Sequence, residues 1–574
     1  MLKMQQKSGD NTQTADGQVF LEITAGAGAA SRVELGSEPL TIGRQIANRV
    51  VLDDAEASRF HCVVERVAGA GFRVRDLGSR NGTKVNGKLV KTALLRDDDV
   101  IQVGHVQMKL VSDNGKKQQP EVTSDQGGGW DFGAGANETT QFAGPGAMAS
   151  PLDHMQRLAE SLPDKALEIS DITLMNARGQ VAHSGRTDTE NVGEAVTLLR
   201  LLILVCFRTH ASDVHIEPKA DQFVVRIRVD GTMVDVAKLK KETGVRLTAV
   251  VKVLSDIDIS QRNIIQEGHF SSRVPDRRVD YRVSLTPSMY GQKLVMRVLD
   301  TANAPQYIWD LGLPEWMFKE IERAVRADQG MVLVCGPTGS GKTASLYSVL
   351  RSIDSGERNV VTIEDPVEIQ LEGITQMPVD EERGNSFPNL LRSVLRQDPD
   401  VILVGEVRDG ETAKVAMQAA MTGHLVFSTV HTRDSIGSIF RMIDLGVEPY
   451  MASSALHLIL SQRLVRQLCP FCKVGMKPTA EHVEKMGKYL EGVSEIYRAN
   501  GCPRCLQTGF AGRRGVFELL VMNDDIREVV MKNPTPGEIL KHVNPKFTKL
   551  LQSGYQLVAE GVTTIDEIER VVGG

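Results

Sequence analysis

Residues 331–343 read MVLVCGPTGSGKT, and how that stretch is taken decides the fold of the chain. Residues 331–335 are apolar, the pattern of a strand buried on both faces in a parallel sheet. Gly336, Pro337, Thr338, Gly339, Ser340, Gly341, Lys342 and Thr343 then satisfy G-x-x-x-x-G-K-[ST]. In that motif the glycines let the backbone wrap with its N–H groups aimed at phosphate oxygens. The lysine reaches the β- and γ-phosphates, and the hydroxyl ligates Mg²⁺. Residues 344–353 continue with helical spacing, which sets a helix N-terminus beneath the phosphates. Strand, loop and helix come in the required order, so the stretch predicts a nucleotide-binding site in an α/β core.

Further motifs follow it. Residues 360–368, VVTIEDPVE, predict a buried strand ending in Glu364, Asp365 and Glu368. Carboxylates at the C-terminal end of a parallel strand stand beside a bound nucleotide, where they can polarise water or hold a metal. Residues 401–406, VILVGE, run four apolar residues into an acid. This is a Walker B pattern, and Glu406 would orient Mg²⁺ or its water shell. In GHLVFSTVHT, residues 423–432, His431 follows another buried strand, a common place for a γ-phosphate sensor, while His424 reads as structural. Two C-x-x-C pairs, Cys469 with Cys472 and Cys502 with Cys505, give a tetrathiolate Zn²⁺ pattern. Four thiolates leave no open position, so the expected role is structural, and disulfides do not suit a reducing cytosol.

From about residue 192 to the C-terminus the chain resembles the secretion ATPases of type II secretion and type IV pilus assembly. The resemblance rests on the motifs above and on ASDVHIEP (211–218), RVDG (228–231) and YRVSLTPSMYGQKLVMRVLD (281–300). It implies a homo-hexameric, RecA-like ATPase at the cytoplasmic face of the inner membrane. Such a motor would hydrolyse ATP to drive pilin or pseudopilin assembly through an inner-membrane platform protein. On the same resemblance Glu368 matches the catalytic glutamate, with Glu364 as the fallback, and His431 the γ-phosphate sensor. Arg282 and Arg297 match the arginine fingers, with Arg226 and Arg228 as weaker candidates. The tetracysteine site favours the assembly or secretion type over the retraction type. His269 stands where the family carries arginine, and a different N-terminal unit takes the place of the family's partner-docking domain.

That unit spans residues 18–112. Short β-like runs at 19–24, 39–42, 62–67, 71–74 and 100–110, separated by Gly, Asn and Asp turns, predict an all-β sandwich. Within it lie Gly43-Arg44, Ser58-Arg59-Phe60-His61, and Asp76-Leu-Gly-Ser79-Arg80-Asn81-Gly82-Thr83 followed by Asn86-Gly87. These resemble the forkhead-associated (FHA) phosphothreonine-binding domain. A guanidinium and a hydroxyl on neighbouring loops can hold a phosphate dianion. The resemblance implies that Arg44 and Ser58 contact phosphate and Asn81 the peptide backbone. Arg59 and Arg80 would stand close by, and His61 would brace the loops.

The 574 residues are too many for one core. Net charge is 67 − 73 = −6, and no basic patch is interleaved with aromatics, so no nucleic-acid partner is expected. The longest nearly apolar run, 196–207, is too short to span a bilayer, and the opening MLKMQQKSGDNTQT lacks a signal peptide's apolar core. The expectation is a cytoplasmic protein that reaches the membrane only through partners. Cys62, Cys206 and Cys335 read as reduced core residues. Residues 1–17 read as a tail, and 113–150 as a flexible linker with Trp130 and Phe132 in its middle. Residues 151–190 give a weakly defined connection, and 191–302 an α+β domain entered through a helix at 192–207. Residues 303–574 form the RecA-like core, with a zinc-binding insertion at 469–505 and a helical tail from 524. The competing function, a phosphopeptide-binding scaffold with a nucleotide switch, is opposed by intact Lys342, Glu368 and Glu406.

Overall fold

The computed structural model describes residues 19–24, 31–35, 40–44, 48–52, 54, 56–58, 60–67, 71–77, 79–112, 150–164, 166–184, 193–300, 302, 304–532 and 534–573. The tail 1–17, Arg59, Trp130, Phe132 and all of the linker except Ser150 lie outside the described residues. The chain divides into two units, Met1–Gln141 and Phe142–Gly574.

In the first unit the described strands pair as two sheets. One runs Ser31–Glu34, Val19–Thr24, Val106–Ser112, Val100–Val103, Thr83–Val85, Lys88–Val90. The other runs Val50–Val51, Leu40–Gly43, Cys62–Val67, Gly71–Asp76, Thr92–Leu95. Alternation decides which side chains go inside. In VFLEIT, Leu21 and Ile23 are buried while Phe20 and Glu22 are half-exposed. Leu21, Ile42, Val64, Val74, Ile101 and Met108 meet in one core drawn from both sheets. Residues 100–110, expected as one run, break into two antiparallel strands that turn at Gly104-His105 and set Val103 opposite Val106. The apolar pattern continues across that short turn, which hides it from periodicity.

The second unit opens with the helix Pro151–Ser161, capped by Ser150, whose Oγ accepts from the Asp153 N–H at 3.2 Å. An antiparallel sheet follows, in the order Val181–His183, Thr173–Met175, Gln266–Arg273, Arg278–Ser288, Gly291–Leu299, Asp213–Pro218, Gln222–Val229, Thr232–Lys240. The α+β domain thus draws in the segment expected as a mere connection. Its two strands have three residues each, too few to show a period. The helix Glu194–Thr209 is buried along almost its whole length and packs with Lys241–Leu254 in the same core as one face of the sheet.

The core sheet runs Thr375–Pro378, Val360–Glu364, Val401–Val404, Leu425–Val430, Gly330–Cys335, Leu456–Leu468, Phe510–Val521. All neighbours are parallel except the last pair, which is antiparallel. Every residue of Gly330–Cys335, Val360–Glu364, Val401–Val404 and Leu425–Val430 is buried, as continuous apolar runs require. The tail forms short helices, Asp524–Met531, Pro536–Leu540, Leu550–Ala559 and Ile565–Val572. Buried Glu518 ties them to the core, accepting from the N–H groups of Ser435 (2.9 Å) and Leu550 (3.2 Å).

Candidate functional site

The phosphate loop joins the strand Gly330–Cys335 to the helix Lys342–Leu350, so the first peptide N–H groups of that helix border the loop. Two of its glycines are required by close approach. A Cβ on Gly336 would lie 2.6 Å from the Gln462 carbonyl oxygen. At Gly341, where φ is +86°, it would lie 2.8 Å from Gln462 Nε2. Gln462 is the residue that sequence reading missed. Its Nε2 donates to the Ser340 carbonyl at 2.8 Å, and its Oε1 accepts from Ser345 Oγ at 2.7 Å. A glutamine in the middle of the buried run LHLILSQRLV was the available signal, because a buried amide needs partners. Lys342 donates to the carbonyls of Gly336 (2.8 Å) and Pro337 (3.1 Å). Burial pulls its pKa down from the ordinary lysine value, against the charge of Glu406. Ser340 Oγ is buried without a protein partner. A buried cation, an orphaned hydroxyl and a loop too tight for side chains fit the phosphates of a nucleotide.

The three candidate acids differ sharply. Glu364 is buried, and both its oxygens accept: Oε2 from the Tyr347 phenol, Oε1 from Thr362 Oγ1 (2.6 Å) and Gln376 Nε2 (3.0 Å). Glu368, four residues on, is exposed and pairs with Arg282 at 3.4 Å. Glu406 pairs with Arg408 and with His431 Nε2 at 3.4 Å, so the Walker B acid and the sensor candidate meet. His424 instead bonds the Ala419 carbonyl through Nδ1 at 3.0 Å.

The arginine candidates come from the α+β sheet. Cross-strand register sets His269 opposite Arg282, Arg282 opposite Arg297, Arg297 opposite Asp213 and Asp213 opposite Arg228. Directly opposed residues project from the same face, so these form one charged row. Asp213 takes both Arg297 (3.3 Å) and Arg228 (3.5 Å), while Arg226 pairs with Glu217 at 2.8 Å. His269 therefore lies one strand beyond Arg282 in the row that reaches Glu368. The Arg282 and Glu368 side chains are 41% and 39% exposed. At that exposure an ion pair contributes about 0.2–1 kcal/mol, a contact that breaks readily. A more buried contact joins the domain to the core elsewhere. Asp230 at the hairpin tip accepts from the Gly512 N–H at 2.8 Å and pairs with Arg513 at 3.4 Å.

The sulfurs of Cys469, Cys472, Cys502 and Cys505 all lie within 4.8 Å of one another. Individual Sγ–Sγ separations are 4.0 Å (469–502), 3.9 Å (472–505) and 3.7 Å (502–505). Tetrahedral Zn–S bonds of about 2.3 Å put sulfurs about 3.8 Å apart, so the donor set fits zinc. The N–H groups of Cys502 and Gly509 both point at Cys505 Sγ (3.3 Å), as suits a thiolate. The cluster sits where the antiparallel strands Leu456–Leu468 and Phe510–Val521 end. The other thiols are inert by burial, which pushes Cys62 and Cys206 up to about 12.

In the FHA unit buried His61 ties the loops together. Its Nδ1 accepts from the Ser58 N–H at 3.0 Å, and its Nε2 meets the Gly82 carbonyl at 3.2 Å. Ser58 Oγ accepts from the Arg80 N–H at 2.9 Å, and Asn81 Nδ2 donates to the Glu56 carbonyl at 2.9 Å. The Arg44 N–H donates to the Ser58 carbonyl at 3.0 Å. Arg44, Ser58, Arg80 and Asn81 thus come together at one edge of the unit, with Arg44, Arg80 and Asn81 exposed. Beneath them Asp76 accepts from Ser79 Oγ and Thr83 Oγ1, both at 2.6 Å.

A glycine loop between a buried parallel strand and a helix, with acids at the ends of two further strands of the same sheet, defines a P-loop ATPase core. Residues 188–570 match the family described as Type II/IV secretion system protein, and the chain belongs to that family as an ATP-hydrolysing secretion ATPase. Residues 40–104 match the FHA domain. Type II secretion system protein E of Pseudomonas aeruginosa is 40% identical over 67% of this chain and 76% of its own length. Type II secretion system ATPase E of Vibrio cholerae is 37% identical over the same shares, 67% and 76%. Among solved structures, the ATPase DotB of Legionella pneumophila aligns at TM-score 0.48 and 22% identity, over 67% of this chain and 97% of its own. Among the described residues no helix is long and apolar enough to cross a membrane.

Proposed function

We propose that this chain is a homo-hexameric motor that powers type II secretion or type IV pilus assembly, with its FHA domain recruiting or regulating it through a phosphothreonine protein. It acts in the cytoplasm, at the inner-membrane face, through a platform protein. The names of its relatives support the secretion role. The observation that carries the enzymatic reading is that the phosphate loop keeps its buried Lys342 while Glu406, just past the end of a parallel strand of the same sheet, is held by His431 and Arg408. A degenerate nucleotide switch would be expected to have lost one of these groups.

In this reading the loop N–H groups and Lys342 hold the phosphates, and Thr343 and Glu406 hold Mg²⁺. That ion would supply charge neutralisation to the phosphates. Glu368 orients and deprotonates the attacking water, and His431 reports the γ-phosphate to Glu406. Arg282 and Arg297 supply positive charge from the α+β domain, and the weak Arg282–Glu368 pair opens and closes with domain movement. Glu406→Gln tests this reading. ATP affinity should stay within about threefold while turnover falls about 100-fold or more, the scale of a lost transition-state contact. Turnover at the native rate sinks the assignment.

Cys469, Cys472, Cys502 and Cys505 would hold Zn²⁺, which would tie together the ends of the strands Leu456–Leu468 and Phe510–Val521. Elemental analysis should find about one zinc per chain. Protein made in a reducing cytosol that carries no metal defeats this reading.

A further inference from the structure

The helix after the phosphate loop and the strand Val360–Glu364 meet through one buried hydroxyl. Tyr347 is 1% exposed and donates its phenol to Glu364. Burial first, and then the Glu364 carboxylate, push the phenol pKa up. On the far side Gln376 donates to Glu364 (3.0 Å) and to the Ile369 carbonyl (3.0 Å), and its Oε1 accepts from the Leu371 N–H at 2.7 Å. Gln376 of the edge strand therefore holds the segment after Glu368 directly, and Tyr347 of the phosphate-loop helix acts on it through Glu364, the carboxylate that Gln376 also bonds. Thr343 and Tyr347 are four residues apart on that helix and share a face. One rigid element thus carries both a phosphate-side hydroxyl and the group that holds the Glu368 loop.

We propose that Tyr347 and Gln376 are positioning residues for Glu368, and that Glu364 is the buried acceptor that locks both of them. This rests on the reading of Glu368 as the group that activates water. Glu364 is buried and already takes three donors on its two oxygens, so its part is to hold the loop. A base misplaced by about 1 Å costs about 100-fold in rate, while ground-state nucleotide binding does not feel it.

The test is Tyr347→Phe, which keeps the ring and removes the hydroxyl, in the full chain. The kcat for ATP should fall about tenfold or more, with KM and the Kd of a fluorescent ATP analogue unchanged within about twofold. In a Glu368→Gln background the same change should add less than about twofold, because the two act as one unit. Gln376→Leu should show the same split and the same non-additivity, and it serves if Tyr347→Phe does not fold. Equal losses in both backgrounds, or a change in KM alone, overturn the positioning role. Loss of turnover in Glu368→Gln with native turnover in Tyr347→Phe overturns it while leaving the base assignment intact. Native turnover in Glu368→Gln removes the base assignment and this inference with it.

Discussion

In the proposed function the phosphate loop of the ATPase unit and the loop cluster of the FHA unit would address the same chemical group with different materials. In the first, the lysine is buried, Gly336 and Gly341 are closely approached by the Gln462 backbone and side chain, and the strand that leads into the loop has no exposed residue. In the second, Arg44, Arg80 and Asn81 are exposed on loops that buried His61 and half-buried Asp76 brace from within. A site that must stabilise developing charge gains from fixed dipoles in a dry setting. A site that must release its partner gains from solvated side chains on a rigid scaffold.

Three measurements press on that difference. The largest effect belongs to the buried site. Lys342→Ala should lower ATP turnover about 100-fold or more, and calorimetric unfolding should show both units still folded. Near-native turnover would mean that the loop's backbone N–H groups suffice without the lysine.

Next comes the exposed site. An Arg–phosphate contact is worth roughly 1.5–3 kcal/mol, so Arg44→Ala should weaken a phosphothreonine peptide about 10- to 100-fold. The ATPase rate should be untouched. Calorimetric titration against a phosphothreonine peptide library and its unphosphorylated twin reads this directly. Equal affinity for both peptides, or none for either, reduces the domain to a docking module that does not read phosphate.

The smallest effect is a pH dependence confined to the FHA unit. Burial lowers the His61 pKa below its ordinary value of 6.5, although the Gly82 carbonyl and Asp76 pull it up. The unfolded chain therefore takes up a proton first as pH falls. Stability is full above about 6.5 and declines below it. The Asp76 carboxyl is also lowered, against burial, by the Ser79 and Thr83 hydroxyls, and its contribution is lost only below the ordinary 3.8. Between pH 7 and 5 the calorimetric transition that phosphopeptide raises should thus move to lower temperature. A flat or opposite trend would place a charged His61 in the folded domain.

Much of this was legible in the order of residues. The phosphate loop, the Walker B run and the paired C-x-x-C motifs are local patterns whose chemistry dictates their spacing, and the structure brings each set together. Short elements were less legible. The strands Thr173–Met175 and Val181–His183 carry no period of their own; the first exists because the longer strand Gln266–Arg273 offers its edge, and the second adds to the first. The acids were ranked only by resemblance, Glu368 before Glu364, since the two lie in one motif and differ in what surrounds them.

The sequence by itself determined that a nucleotide, four thiolates and an FHA-type sandwich belong to this chain, because each is written in neighbouring residues. Only the tertiary structure decided that Glu364 is locked by Tyr347, Thr362 and Gln376 while Glu368 faces Arg282, that Gln462 braces the phosphate loop, and that His269, Arg282, Arg297 and Asp213 share a row. Those relations join residues far apart in the chain. Burial and strand register set them, and neither is a property of any one segment.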